Sequence, residues 1–205
     1  MLDKQNIIKK INTACRFFFN ESSFFLHPSS ANRFIITGNK KSKARNNNSN
    51  QSEEVNVIKW FDGFWVYIEI EFVDHTTFIS LSVFQGEETD NIKHQLFRAE
   101  WDDYNNNEEK HPQPHWHITA NQAIEKTFEE LASIEDSDNF LGLLNEEKSK
   151  IIDINKFHFA MNGNWINNET HIHSLNSEEK IIKWFQGLLS YLKEELNYVK
   201  LGTNR

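Results

Sequence analysis

Apolar residues near both ends of the chain recur every three or four positions, which is the spacing of one face of an α-helix. Near the N-terminus this pattern covers residues 4–18. Near the C-terminus the apolar positions step by 3, 4, 3, 4 and 3 residues and are Ile182, Phe185, Leu189, Leu192, Leu196 and Val199. Asn176, followed by Glu179, resembles a capping box at the start of the second pattern. The sequence therefore predicts an amphipathic helix at each end.

Between these helices the pattern changes to strict alternation of apolar and polar residues. Alternation with a period of two is typical of a strand that has one covered face and one wetter face. Short polar connections between such strands favour an antiparallel meander. The predicted strands are residues 33–37, 64–72, 79–83, 93–101 and 115–119.

Residues 38–54 form a separate segment that is nearly devoid of apolar side chains. The segment is rich in Asn and contains the main basic cluster of the chain, which is Lys40, Lys41, Lys43 and Arg45. Polar segments without apolar periodicity are typical of loops. We expect a mobile, basic loop here that binds substrate.

The order of these elements predicts one α+β domain over residues 1–205. Two further helices are expected at 121–132 and 140–148, after the strands. We expect a largely antiparallel sheet of about five to seven strands, covered on one face by helices, with an N-terminal and a long C-terminal amphipathic helix. The uncovered face, or an edge, then carries the polar side chains.

Composition narrows the possible functions. The chain has 17 Phe and 6 Trp, so a real hydrophobic core is feasible, and a net charge of −8 argues against sequence-blind coating of nucleic acid. With 7 Gly and no phosphate-binding glycine loop, nucleoside triphosphate hydrolysis is disfavoured. Cys15 is the single cysteine, and no segment resembles a signal peptide or a membrane span. We therefore expect a cytoplasmic protein that makes no membrane contact.

The segment 111–118, with sequence HPQPHWHI, concentrates candidate chemistry. In a strand, His115 and His117 project to one face and Trp116 to the other. Because the pKa of histidine lies near neutrality, such clustering indicates proton transfer or metal binding. Similar patterns further along the chain add His158, His171 and His173.

Pairing of the 93–101 strand with the 115–119 strand places Arg98, Glu100, His115 and His117 on one face. Histidine and carboxylate side chains supply a general base and a general acid, and a guanidinium neutralises charge on a phosphoryl group. These groups suit metal-free cleavage of RNA, in which the 2′-hydroxyl is the nucleophile. We expect His158, His171 and His173 to join this catalytic face.

A divalent metal is the alternative use of the same histidines. His111, His115 and His117 together offer enough imidazole ligands for one ion. The strand His115-Trp116-His117 also resembles the histidine–hydrophobic–histidine strand of rolling-circle nickases. That resemblance implies a metal and a tyrosine nucleophile on a helix, for which Tyr191 and Tyr198 are available.

Residues 96–119 resemble small bacterial families that include TumE-type toxins of toxin–antitoxin loci. The resemblance rests on a strand with Arg98 and Glu100, a polar loop, and the Pro-His-x-His sequence 114–117. It implies a place in a toxin or antiviral defence locus, a protein partner from that locus, and RNA as substrate. The competing class is a non-catalytic adaptor of a multi-protein defence complex that docks through exposed aromatics and the C-terminal helix.

Overall fold

The computed structural model describes residues 3–48, 51–73, 76–102, 113–118, 159 and 175–203. The helices in these ranges are α1 (Lys4–Cys15), which continues as a 3₁₀ turn (Arg16–Phe18), and α2 (Glu178–Thr203). The strands are β1 (Phe25–Pro28), β2 (Arg33–Thr37), β3 (Lys41–Asn48), β4 (Gln51–Phe61), β5 (Phe64–Val73), β6 (Thr76–Gln85), β7 (Ile92–Asp102) and β8 (His115–Ile118).

Five of these strands close into a barrel. Their order is β5-β4-β3-β7-β6, and β6 pairs again with β5 to complete the ring. The neighbours are antiparallel except β3 and β7, which run parallel and pair Lys43 with Ile92 and Ala44 with Lys93. This short parallel contact turns a meander into a closed barrel.

The remaining strands extend one end of the barrel, which we call the mouth. One edge of β5 pairs with β4 near Val66 and with β2 near Ile70. β2 therefore continues the sheet beyond the barrel, and β1 pairs with the far side of β2. The edge of β7 is shared in the same way, with β3 at Ile92 and β8 from Phe97 onward. The mouth is therefore flanked by β2 on one side and β8 on the other.

The outer face of β7 is apolar at Trp101 and packs against α2 there. Trp101 of β7 contacts Trp184 of α2, with ring centroids 5.5 Å apart. A helix is about 10 Å wide and does not fit inside a barrel of this size, so the face that carries Trp101 is the outside. Apolar residues buried on α2 include Ile181, Phe185, Leu189, Leu192 and Leu196.

The inner face of the barrel is largely polar, although it is buried. Ser82 donates a hydrogen bond of 2.8 Å to the side-chain oxygen of Asn46, and the backbone N–H of Asn47 donates one of 2.7 Å to Gln95. Away from the mouth, the ammonium groups of Lys59 and Lys93 each lie 4.8 Å from the Trp65 ring centroid. Hydrogen bonds and cation–π contacts thus offset the cost of burying these groups.

The expected open α+β sheet with helices over one face is wrong. The described part of the chain is mostly β, with eight strands and two helices, and its central strands form a closed barrel. From the sequence, the polar positions of the alternating strands are expected to face solvent. Closure of the sheet buries these side chains inside the barrel instead. The helices expected at 121–132 and 140–148 lie outside the described residues.

The loop expected at 38–54 is also wrong, because most of it is strand. β3 and the beginning of β4 form an antiparallel hairpin from the pair Lys41–Ile58 to the pair Asn48–Gln51. Main-chain hydrogen bonds hold such strands together without a run of apolar side chains. Within residues 41–47 of β3, the buried side chains are Ala44 and Asn46, and the small number of buried positions accounts for the missing apolar pattern.

Several other predicted elements are present. Residues 4–18 are helical, β2 spans the predicted 33–37, and β5, β6, β7 and β8 contain most of the strand segments that alternate in the sequence. The predicted C-terminal helix is α2. Neither helix in the described ranges is both long and apolar enough to cross a lipid bilayer.

The two glycines Gly187 and Gly38 give opposite predictions for stability. Gly187 lies within α2, and a Cβ atom there has nothing within 4 Å. We expect G187A to raise the free energy of unfolding by about 0.5–1 kcal/mol, since alanine loses less backbone entropy in a helix.

A Cβ on Gly38 would overlap the carbonyl oxygen of Ser23, so G38A should lower the free energy of unfolding by about 1–3 kcal/mol. Urea denaturation of both variants checks the pair, and equal effects would contradict the close approach of Gly38 to Ser23.

Candidate functional site

The pairing of β7 with β8 brings four of the predicted site residues onto one face. The register places Arg98 opposite His117 and Glu100 opposite His115. Because directly paired residues of antiparallel strands project to the same side, all four lie on the inner face at the mouth.

Three side-chain atoms converge there. The Nε2 atom of His117 lies 2.6 Å from Oε2 of Glu100 and 2.7 Å from Nε2 of His115. The Nε2 atom of His115 lies 3.5 Å from the same Glu100 oxygen. The cluster is largely buried, and its most accessible member is His117, whose side chain is 36% exposed.

No placement of protons satisfies all three approaches. A single N–H on His117 can be shared between Glu100 and His115, but the lone pair of His115 then faces the carboxylate. If both Nε2 atoms carry a proton, both can donate hydrogen bonds to Glu100. The two N–H groups then face each other, with their nitrogens 2.7 Å apart. A positive ion at the centre would satisfy all three lone pairs.

Glu100, His115 and His117 are therefore a group that could hold a divalent metal, and their ligand atoms lie within 4.8 Å of one another. Zinc ligands at 2.0–2.2 Å are separated by roughly 3.0 Å in an octahedral cis arrangement and roughly 3.4 Å in a tetrahedral one. The 3.5 Å distance matches the tetrahedral value, whereas the distances of 2.6 and 2.7 Å are shorter than either value. To hold one ion, the His117 ring would therefore move a few tenths of an ångström away from Glu100 and His115.

Arg98 supports the carboxylate from inside the barrel. Its Nε lies 2.6 Å from Oε1 of Glu100, and its Nη1 donates a hydrogen bond to the carbonyl oxygen of Asn47. The side chain is only 2% exposed, and its Nη2 has no hydrogen-bond acceptor among the described residues. Arg98 thus holds one oxygen of Glu100 and leaves the other directed at the histidines.

The pKa values of Glu100 and His117 are both lowered. Burial by itself would raise the pKa of Glu100, but the interaction with His115 and the charges of Arg98 and His117 together lower it below its ordinary value. Burial lowers the pKa of His117, despite the opposing effect of Glu100. An ionised carboxylate and a neutral imidazole are the ligand forms that metals require.

The polar interior fixes these strands in place. The carbonyl oxygen of Asn47 accepts from Arg98, while its N–H donates to Gln95, whose amide lies 3.5 Å from the Ser82 hydroxyl. At the start of β8, the side-chain oxygen of the fully buried Gln113 accepts a 2.8 Å hydrogen bond from the N–H of Asp102. These contacts connect the site to the main chain of β3 and β7.

The other predicted site residues do not join this group in the described structure. His111, His158, His171 and His173 lie outside the described residues. Lys41, Lys43 and Arg45 are exposed on the outer side of β3, and Lys40 precedes that strand. Because β3 is a strand of the barrel, this basic cluster cannot act as the closing loop that we expected.

The sequence did not indicate Arg33, Tyr67 and Glu69, which lie across the mouth. Nε of Arg33 is 2.5 Å from Oε1 of Glu69, and the Tyr67 hydroxyl donates a 3.0 Å hydrogen bond to Oε2 of Glu69. Alternation on β5 places Tyr67 and Glu69 on one face. Their convergence with Arg33 depends on the pairing of β2 with β5, which local sequence patterns do not indicate.

No protein-family model, curated protein or solved structure matches this chain. The function proposed below therefore rests on the geometry of the inner face.

Replacing Arg98 with an uncharged residue should show how strongly the buried charge of Glu100 destabilises the protein when it has no cationic partner. We expect R98M to lower the free energy of unfolding by about 3 kcal/mol, because an unpaired carboxylate remains inside the barrel. The double variant R98M/E100L should recover most of this loss, since no buried charge is left. Chemical denaturation of the wild type, both single variants and the double variant measures the coupling, and simple additivity would contradict the ion pair.

Acidification should destabilise the protein through His117. Its pKa in the folded state lies below the ordinary value of 6.5, so the unfolded chain binds more protons and stability decreases as the pH falls below 6.5. We expect the free energy of unfolding to decrease less for H117Q than for the wild type between pH 7.5 and pH 5.5. Denaturation at several pH values in a chelator tests this, and equal slopes would refute it.

Proposed function

We propose that this chain is a metal-dependent phosphodiesterase that cleaves RNA, with Glu100, His115 and His117 as the metal ligands. The observation that carries the proposal is the convergence of three lone-pair atoms that protons alone do not satisfy. It is consistent with the ionised state of Glu100 and the low pKa of His117.

Two histidines and one carboxylate suit a catalytic ion more than a structural one. Three protein ligands leave positions open for water and substrate, as in hydrolytic zinc sites. An ion held by Glu100, His115 and His117 would supply Lewis-acid chemistry, since it would polarise a phosphoryl oxygen and lower the pKa of a bound water. The partial exposure of His117 gives the cluster access to solvent at the mouth.

In this proposal Arg98 is a positioning residue. Its guanidinium is almost completely buried and contacts Glu100 and the carbonyl oxygen of Asn47. It orients the Glu100 carboxylate, as the outer partners of metal ligands do. The sequence suggested that Arg98 neutralises phosphoryl charge, and a metal held by the three ligands would supply that charge instead.

The spacing of the histidines favours the metal over the metal-free mechanism. In-line displacement at phosphorus places the attacking and leaving oxygens on opposite sides of the phosphate. A separate general base and general acid must then lie on opposite sides as well. The Nε2 atoms of His115 and His117 are 2.7 Å apart, too close to enclose a phosphate between them.

Two features support RNA as the substrate. Lys41, Lys43 and Arg45 alternate along the exposed outer side of β3, the strand whose Asn47 contacts Arg98, and basic side chains attract a phosphate backbone. The resemblance of residues 96–119 to TumE-type toxins also supports RNA. It further supports a place in a toxin or defence locus and a protein partner from that locus.

Metal binding and cleavage are the direct tests. We expect the wild type to bind one Co²⁺ or Zn²⁺, and H115A, H117A and E100Q each to weaken binding by at least about tenfold. Cleavage of a labelled single-stranded RNA should be lost in EDTA and restored by excess metal. The control is H27A, which removes an exposed histidine of β1 outside the cluster and should leave both properties unchanged.

The same assay separates the alternatives. Cleavage that is insensitive to EDTA but absent in H115A and H117A would replace the proposal with metal-free acid–base catalysis. Metal binding by the folded protein without cleavage of RNA or single-stranded DNA would favour the adaptor.

A further inference from the structure

A second arginine–glutamate pair lies across the mouth from the metal cluster. Arg33 of β2 contacts Glu69 of β5 through two nitrogens, with Nε 2.5 Å from Oε1 and Nη2 3.0 Å from Oε2. Tyr67 donates its hydroxyl hydrogen to Oε2 of Glu69 at 3.0 Å. Burial raises the pKa of Tyr67, so the phenol stays neutral and remains a donor.

This pair lies on the same inner face as the metal cluster, at a defined separation. Glu69 is opposite Ser80 of β6, and Ser80 is opposite Glu100 of β7. Two strand spacings separate the glutamate backbones by roughly 10 Å or less. Arg33 contacts one glutamate and His117 the other, and their side chains are 37% and 36% exposed. The partly exposed guanidinium of Arg33, which is paired with Glu69, and the metal cluster would thus flank Ser80.

The contact with Glu69 leaves part of the Arg33 guanidinium available. The hydrogen bonds use Nε and Nη2, and Glu53 also lies 3.9 Å from Nη2. Nη1 makes no hydrogen bond within the described ranges. A guanidinium held side-on by a carboxylate has a fixed plane, so it loses little freedom when Nη1 binds an anion.

We propose that Arg33 binds a phosphate adjacent to the scissile one, so that the substrate is a single-stranded oligonucleotide lying across Ser80. A strand that lies across Ser80 would bring one phosphate to the metal cluster and a neighbouring phosphate to Arg33. The inference rests on the proposed function, because the metal cluster defines the scissile position.

The salt dependence of binding tests this subsite. A fluorescein-labelled decauridylate is titrated with wild type, R33A and R33Q in EDTA, and its anisotropy is measured at several salt concentrations. For R33A and R33Q we expect the affinity to fall about tenfold. We also expect the slope of log K against log salt to decrease in magnitude by about 0.7, the value for one lost contact to a single-stranded phosphate.

R33Q retains a hydrogen bond to Glu69, so it separates loss of charge from loss of folding. R16A removes the same charge from the 3₁₀ turn after α1 and should change neither quantity.

The outcomes distinguish the two levels of the proposal. An unchanged slope in folded R33A and R33Q would overturn the Arg33 subsite, as would a wild type that binds no decauridylate. Co²⁺ binding by the same variants should stay at the wild-type value, since Arg33 contacts none of the three ligands. If wild type binds no Co²⁺, the metal-dependent function fails even where the slope changes as expected.

Discussion

Closure of the sheet is the constraint on which the rest of the structure depends. A strand with alternating polarity normally places its polar side chains in water. Here the contact between β3 and β7 encloses those side chains. A buried charge or amide without a partner destabilises a protein by several kcal/mol, so each inner group must find a partner in a narrow space. The hydrogen bonds among Asn46, Ser82 and Gln95 meet this requirement in the middle of the barrel.

The two arginine–glutamate pairs at the mouth have the same physical origin. Arg98 and Glu100 lie on the same barrel strand, β7, whereas Arg33 of the flanking strand β2 contacts Glu69 of the barrel strand β5. Burial makes these pairs sensitive to the loss of either partner. It also fixes the orientation of the carboxylates, which surface side chains rarely achieve. The rigidity that a metal site needs therefore comes from the same closure that buries the charges.

Much of the local structure could be predicted from the sequence, because helices and half-buried strands have distinct periods. The stepping of apolar residues on α2 and the alternation on β5 both indicate the element that forms. β3 has no such signal, since its exposed side chains are Lys41, Lys43 and Arg45 and its pairing uses the main chain. Closure itself depends on the long-range contact of β3 with β7, which local patterns do not encode.

The candidate site was predictable to the extent that it comes from two strands in an antiparallel pair. The alternation of His115 and His117, with Arg98 and Glu100 on the preceding strand, is sufficient to place four groups on one face. The depth of Arg98 and the close approach of the histidines were not predictable, because strand alternation specifies neither closure of the sheet nor the distance between two side-chain atoms. The close approach changes the interpretation from separated acid and base groups to a group that could hold a metal.

A crystal structure of the protein grown with Zn²⁺ or Mn²⁺, with data collected at the absorption edge of the metal, tests the central claim most directly. The account predicts one strong anomalous peak about 2.0–2.2 Å from Nε2 of His115, Nε2 of His117 and Oε2 of Glu100. An ordered site with these three side chains in place and no anomalous peak between them would contradict it.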